Sequence, residues 1–228
     1  KVNAFITDMN QPLGSYAGNK LEVLEALEYL CGLRQDSDFM KVVYTIAEKM
    51  VELAGFADAN TPVRLREVIS NGTAYDTFLE MVKQQHGDAA SVRHLTTLLH
   101  SMSILSAAQA GNYDRINRVL SPEDKLYFAE IRAERGGIVS GFDLTNIGQE
   151  IRALGAGKYK DTDQINPYVG LITAARFGQH VNTGELLAVV VHDGKKGNPE
   201  KFREYITVGG NYDSNHELIR ELVVPTAR

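Results

Sequence analysis

The chain has 228 residues, a formal net charge of −5, 43% hydrophobic residues and a single cysteine. That is enough chain for one large domain or two smaller ones, each with its own core. It excludes a disulfide framework, and the short basic runs at 158–160 and 195–196 give nucleic acid no electrostatic footprint.

In chain order, KVNAFITD reads as the end of a strand entered without a start signal, so Lys1 looks like an interior position. A helix follows. Asn19 is the expected N-cap, with Glu22 placed to complete a capping box, Leu21, Leu24, Leu27 and Leu30 at helical spacing, and Gly32 as the stop. Cys31 falls on the same apolar row and reads as a small core residue in a reducing, cytoplasmic setting. Residues 37–53 form the next helix, with Phe39, Val42, Val43, Ile46, Met50 and Leu53 on one face and Gly55 behind it. Thr61-Pro62 supplies a cap and a first-turn proline for a helix that Asn71-Gly72 ends. Residues 74–85 give another helix, closed by Gly87, and 91–107 and 114–120 read as further helical segments. Beyond Ser121-Pro122 glycine and β-branched residues rise, which places a boundary near 118–124 and divides the chain into 1–120 and 121–228. The second part holds a helix at 144–154, strands at 171–175 and 186–191, a helical stretch at 199–205 and a last strand at 218–224.

Three stretches invite a chemical reading. The first is DMNQPLGSYAGNKLEVLEALEYLCG, from Asp8 to Gly32. A glycine turn before a helix N-terminus suits an anion. Here, though, Asp8, Glu22 and Glu25 line it and Lys20 is the one nearby base, a set that suits a hard cation better. A plain tight turn with a capped helix explains the same residues. The second is LGAGKYKDTDQINPYVG, residues 154–170. Its GAG follows a helix and lacks GxGxxG spacing, so it reads as a glycine stop and a polar turn. The third, FGQHVNTGELLAVVV at 177–191, reads as a hairpin with Val181 and Leu186 inside. Biotinyl and lipoyl carriers use such a hairpin with a methionine-flanked lysine, but no methionine lies beyond Met102. The histidines at 86, 94, 100, 180, 192 and 216 show no metal spacing, and there is no nucleophile elbow, phosphate loop or Cys/His dyad.

Taken together, these stretches resemble the thymidine and pyrimidine-nucleoside phosphorylases. Residues 7–32 are similar to a segment found midway along that family. NGTAYDTFLEMVKQQHGD at 71–88 resembles its helix ending in a Gln-Gly-Gly-Asp-like turn, with His86 in place of the first glycine. LGAGKYKDTDQINPYVG resembles its C-terminal signature, with Lys158 where arginine is usual and Asn166 where aspartate is usual, and the 177–191 stretch is similar to the family's next segment.

The resemblance implies an α/β and α+β fold: a helix-rich remainder of the phosphorylase α/β domain at 1–120, then a mixed, mainly antiparallel, hammerhead-like domain at 121–228. It implies pentosyl transfer, in which phosphate cleaves thymidine or uridine to the base and (deoxy)ribose 1-phosphate. The family's Lys-His-Ser-Thr-Gly-Gly and Gly-His-Thr-Gly-Gly-Thr phosphate loops, and its base-gripping Arg, Ser and Lys, belong upstream of this sequence. The resemblance therefore assigns no catalytic residue to this chain and makes the N-terminal half its partner. It implies a cytoplasmic homodimer with no nucleic acid or membrane partner and no required cofactor. It also implies a monovalent cation such as potassium, on the carbonyls of Leu13 and Tyr16 and the carboxylate of Glu25. The rival expectation is a non-catalytic, stand-alone module derived from the same family.

Overall fold

The structure, a computed structural model, describes residues 2–34, 38–212 and 217–223. Its elements in chain order begin with β1 (Ala4–Thr7), β2 (Tyr16–Ala17), α1 (Asn19–Leu30), α2 (Asp38–Leu53), α3 (Thr61–Ser70) and α4 (Thr73–Gln84). Next come α5 (Ala89–Ser101), α6 (Ile104–Gln109), α7 (Tyr113–Leu120), β3 (Tyr127–Arg132), β4 (Gly137–Phe142) and α8 (Leu144–Ile151), which runs into a π turn at Arg152–Ala156. The chain closes through β5 (Gly170–Thr173), β6 (His180–Val181), β7 (Leu186–His192), a 3-10 helix at Pro199–Tyr205, β8 (Ile206–Val208) and β9 (Ile219–Val223). The fold is mixed, helices in its first half and antiparallel sheets in its second, as expected. Position 37, where a helix start was expected, and Val224, where a strand end was, lie outside the described residues.

Two compact units form. One comprises Lys1–Asp8, Ala26–His100 and His216–Arg228; the other comprises Met9–Glu25 and Ser101–Asn215.

The first unit is helical, with β1 and β9 as an antiparallel pair. Asp8 extends that pair: its N–H donates to Leu218 O at 2.8 Å, and its buried carboxylate meets the Arg220 guanidinium. Tyr29 stacks on Phe39 with centroids 4.7 Å apart, and Tyr75 Oη donates to Thr96 Oγ1 at 3.0 Å. Cys31 is half-buried, and burial pushes its thiol pKa up, which makes it a poor nucleophile. The ends of α1, α2 and α4 share one pattern. Gly32 donates to Tyr29 O while Leu33 donates to Glu28 O, and Gly55 with Phe56 repeats the pattern on Glu52 and Val51. These are Schellman turns, whose C′ residue takes a left-handed φ, +70° at Gly32 and +82° at Gly55. At the end of α4 His86 donates to Lys83 O and Gly87 to Val82 O, so His86 fills the same position, with φ +60°. Asn60 rather than Thr61 precedes α3, and Thr61 Oγ1 accepts from Asp58 N at 2.9 Å.

The second unit is built on two antiparallel sheets, ordered β2-β5-β7-β3 and β6-β4-β8. The four-stranded sheet buries every residue of β5 and five of the seven in β7. That accounts for LLAVVV, a continuous apolar run rather than an alternating one. Ile131, Val139, Leu154, Leu171, Val181, Val190 and Phe202 meet in one core.

Further expectations need correction. The segment 91–107 is two helices, α5 and α6; Ser103 restarts the chain by accepting from Ser106 N at 3.1 Å. The 177–191 stretch is no hairpin. Its turn closes through Glu185 N to Asn182 O, but β6 pairs with β4 while β7 lies between β5 and β3. Val181 is buried as expected, whereas Leu187 rather than Leu186 enters the core. Strands β3 and β4 were not anticipated as strands.

Candidate functional site

The turn at 9–18 and the first turns of α1 lie in the sheet unit, and the sheet seats them. Tyr16 and Ala17 pair with Ile172 and Leu171, and Thr173 N donates to Ser15 O at 2.6 Å. Two glycines permit that approach. A Cβ on Gly170 would stand 2.1 Å from Ala17 O, and one on Gly18 would stand 2.5 Å from Val169 O. Gly18 is also the N-cap, because its carbonyl accepts the first helical bond, from Glu22 N, while Glu22 Oε1 accepts from Gly18 N at 3.1 Å. The N-cap thus sits one residue earlier than expected, and Glu22 reaches back to Gly18 rather than Asn19. Asn19 is freed from capping and its Nδ2 donates to Ala156 O at 2.9 Å.

Glu25 is the carboxylate that the turn encloses. It is 4% exposed, Oε1 accepts from Ser15 N at 2.6 Å and Oε2 from Tyr16 N at 3.3 Å. Its carboxylate lies so close to Gly14 that a Cβ there would come within 2.0 Å of Oε2. One side of the turn therefore presents amide donors to an anion.

The carbonyl side has a cation of its own. Arg176 Nη1 donates to Pro12 O at 3.1 Å and Gly14 O at 2.9 Å, and Nη2 donates to Ser15 Oγ at 3.0 Å. Sequence reasoning missed this residue. It named Lys20 as the one nearby base, because Arg176 stands 162 positions from Gly14 and carries no local signal. Lys20 itself faces elsewhere. Its Nζ donates to Leu120 O at 2.7 Å and sits 5.4 Å from the Tyr168 ring centroid, and burial pulls its pKa down.

The three expected cation ligands are therefore neighbours: Leu13 lies between the two carbonyls that Arg176 takes, and Tyr16 and Glu25 share a hydrogen bond. The Tyr16 side chain is occupied separately, Oη accepting from Leu105 N at 2.6 Å. Carbonyl and carboxylate oxygens are the donor types that a hard cation takes, and here both Glu25 oxygens already accept backbone N–H groups. Among the described residues no group of three or more His, Cys, Asp or Glu side chains gathers into a metal site, and no helix is long and apolar enough to cross a membrane.

The signature segment is brought to the same place. Lys20 N donates to Pro167 O at 2.9 Å, alongside the Asn19 bond to Ala156. Asp163 Oδ2 accepts from Tyr159 N and Lys160 N, at 2.8 and 2.9 Å, and these backbone donors, Lys160 first, hold its carboxyl below the usual range. Lys158 is exposed, and its carbonyl accepts from Arg152 Nε at 2.7 Å. Asn166 explains its own departure from the family pattern. Its Oδ1 accepts from Tyr168 N at 3.0 Å and its Nδ2 donates to Asp193 Oδ2 at 3.0 Å. An aspartate could make the first bond but would set a second carboxylate against Asp193.

Residues 138–208 match the family model of the pyrimidine nucleoside phosphorylase C-terminal domain, a span that runs from β4 to the last residue of β8. The chain is also 31% identical, over 196 residues, to the thymidine phosphorylase of Mesorhizobium japonicum. That similarity takes in 83% of this chain and 38% of that protein, so the chain spans well under half the length of the curated relative it matches.

Proposed function

We propose that this chain, which carries a pyrimidine nucleoside phosphorylase C-terminal domain at residues 138–208, serves a pyrimidine-nucleoside phosphorylase and acts only with the family's N-terminal half. The reaction is reversible phosphorolysis of thymidine or uridine to the base and (deoxy)ribose 1-phosphate. The observation that carries this reading is the similarity to a thymidine phosphorylase across 83% of the chain. The setting is cytoplasmic and the assembly a homodimer.

Phosphate attacks an anomeric carbon with oxocarbenium character as the base departs. Catalysis then rests on positioning, on donors to the leaving base and on exclusion of water. In this reading those groups stand on the N-terminal half. The residues at hand supply a fixed support, the turn at 9–18 clamped between Glu25 on its amides and Arg176 on its carbonyls. The carbonyls of Leu13 and Tyr16 and the Glu25 carboxylate would hold a monovalent cation, which neutralises a buried carboxylate and stiffens the turn.

The test is a phosphorolysis assay with thymidine and uridine, on this chain alone and then joined to the phosphate-loop half. No turnover alone and turnover when joined is the expected result. Turnover by the isolated chain, or none from the joined protein, overturns the reading.

A further inference from the structure

Arginines gather in the sheet unit at a place that the phosphorylase reading does not use. A cavity of about 470 Å³ is lined by Arg132, Arg135 and Arg203, with Glu134 the one acidic residue, over apolar Leu187, Ile206 and Val208. Glu130 and Glu200, just outside the lining, also pair with Arg132 and Arg203, so Arg135 is the arginine of the three with no carboxylate at ion-pair distance among the described residues. Another cavity of the unit, about 550 Å³, is lined by Lys125, Lys195 and Lys196 together with Asp124 and Asp193.

The guanidinium groups are held in place. Arg132 Nη1 donates to Gly184 O at 2.8 Å and Nε to Glu130 Oε2 at 2.6 Å. Glu130 is fixed in turn by the Tyr113 hydroxyl, which donates to its other oxygen. Arg135 Nε donates to Val208 O at 2.8 Å, a bond that uses one of the five N–H donors of a guanidinium. Arg203 is held by carboxylates alone, Glu134 at 3.2 Å and Glu200 at 3.5 Å, and all three of these side chains are largely exposed. Exposed pairs of that kind contribute little and yield to a stronger anion. A planar fork anchored along one edge is the arrangement that grips the oxygens of a phosphate.

We propose that this cavity binds a phosphomonoester dianion, with the phosphate on Arg135, Arg203 and Arg132 and the organic group on Leu187, Ile206 and Val208. The volume suits a sugar phosphate, since small-molecule sites run from roughly 300 to 1,000 Å³. Glu134 is the built-in competitor that holds Arg203 while the cavity is empty.

Calorimetric titration of the full chain at constant ionic strength tests this, with inorganic phosphate and ribose 5-phosphate as separate probes. Ribose 5-phosphate is expected to bind more tightly than phosphate. R135Q/R203Q is expected to weaken it at least about tenfold, the loss of charge-assisted hydrogen bonds. E134Q, which frees Arg203, is expected to tighten it roughly two- to fivefold. K160Q, on an exposed loop, should change nothing. Should the arginine variant fold poorly, E134Q carries the test, because a purely structural role for these groups gives no gain in affinity. Unchanged affinity in R135Q/R203Q, no gain in E134Q, or equal binding of the two probes overturns the proposal.

Discussion

In the sheet unit no residue from 187 to 191 is more than 3% exposed, and Val169, Leu171 and Ile172 are fully buried. In the helical unit Met50, Phe56 and Val63 stand 65%, 76% and 53% exposed on helices, or beside helices, whose apolar spacing is just as regular. The unit with the clearer helical pattern in its sequence is therefore not the one that closes its apolar surface. A strand buried on both faces needs only its neighbours, whereas an amphipathic stripe specifies a helix without specifying what covers it. Stability is expected to concentrate in the sheets.

The strongest way to break that comparison is a pair of truncations. Phe202 is fully buried in the sheet core, and Phe202→Ala should cost about 3–5 kcal/mol in chemical denaturation. Phe56→Ala, at a side chain three-quarters exposed, should stay within about 0.5 kcal/mol. Similar losses at the two sites would mean that the contrast between the units is false.

A smaller effect sharpens the helical side. His86 holds a left-handed φ where Gly32 and Gly55 perform the same task without a Cβ. His86→Gly is expected to stabilise the protein by about 0.5–1 kcal/mol, after allowing for the added freedom of glycine in the unfolded chain. A lower midpoint in thermal unfolding would refute the strain.

The smallest effect belongs to the sheet side and depends on pH. Burial lowers the pKa of His192, with Asp193 opposing; its ring stacks on Tyr127, and Nδ1 accepts from Gly194 N at 3.2 Å, which requires the unprotonated nitrogen. A base whose pKa is depressed on folding binds more protons when unfolded. Its share of stability is full above its ordinary value of about 6.5 and is lost as pH falls below that. His192→Gln should flatten the stability profile between roughly pH 5 and 7. A profile unchanged by the substitution would place the titration elsewhere.

What was legible in the sequence was local. Gly32 and Gly55 ended helices as read, since a C′ glycine announces itself by position, and β5 and β7 stood out as apolar runs. The N-cap was misplaced by one residue because Asn19 outranks Gly18 on preference, while the observed cap depends on how closely residue 18 approaches Val169. Strands β3 and β4 escaped notice because YFAEIR carries charges at Glu130 and Arg132 and GIVSGF is broken by glycines; each is a strand because of its partner. The supposed hairpin failed for the same reason, since a turn at 182–185 does not reveal which strands its arms will join. Within the candidate site Glu25 could be named through a family likeness, and its meeting with the turn is observed. Arg176 could not be named, because nothing near it in the chain mentions the turn it holds.

The bond from Arg176 to Gly14 has a consequence in time. A ribosome making the chain exposes the turn first and the arginine 162 residues later, an interval of about ten to thirty seconds at ordinary elongation rates. Throughout that interval the carbonyls of Pro12 and Gly14 have no guanidinium and β2 has no β5 to pair with. The turn at 9–18 is thus synthesised well before the residues that seat it.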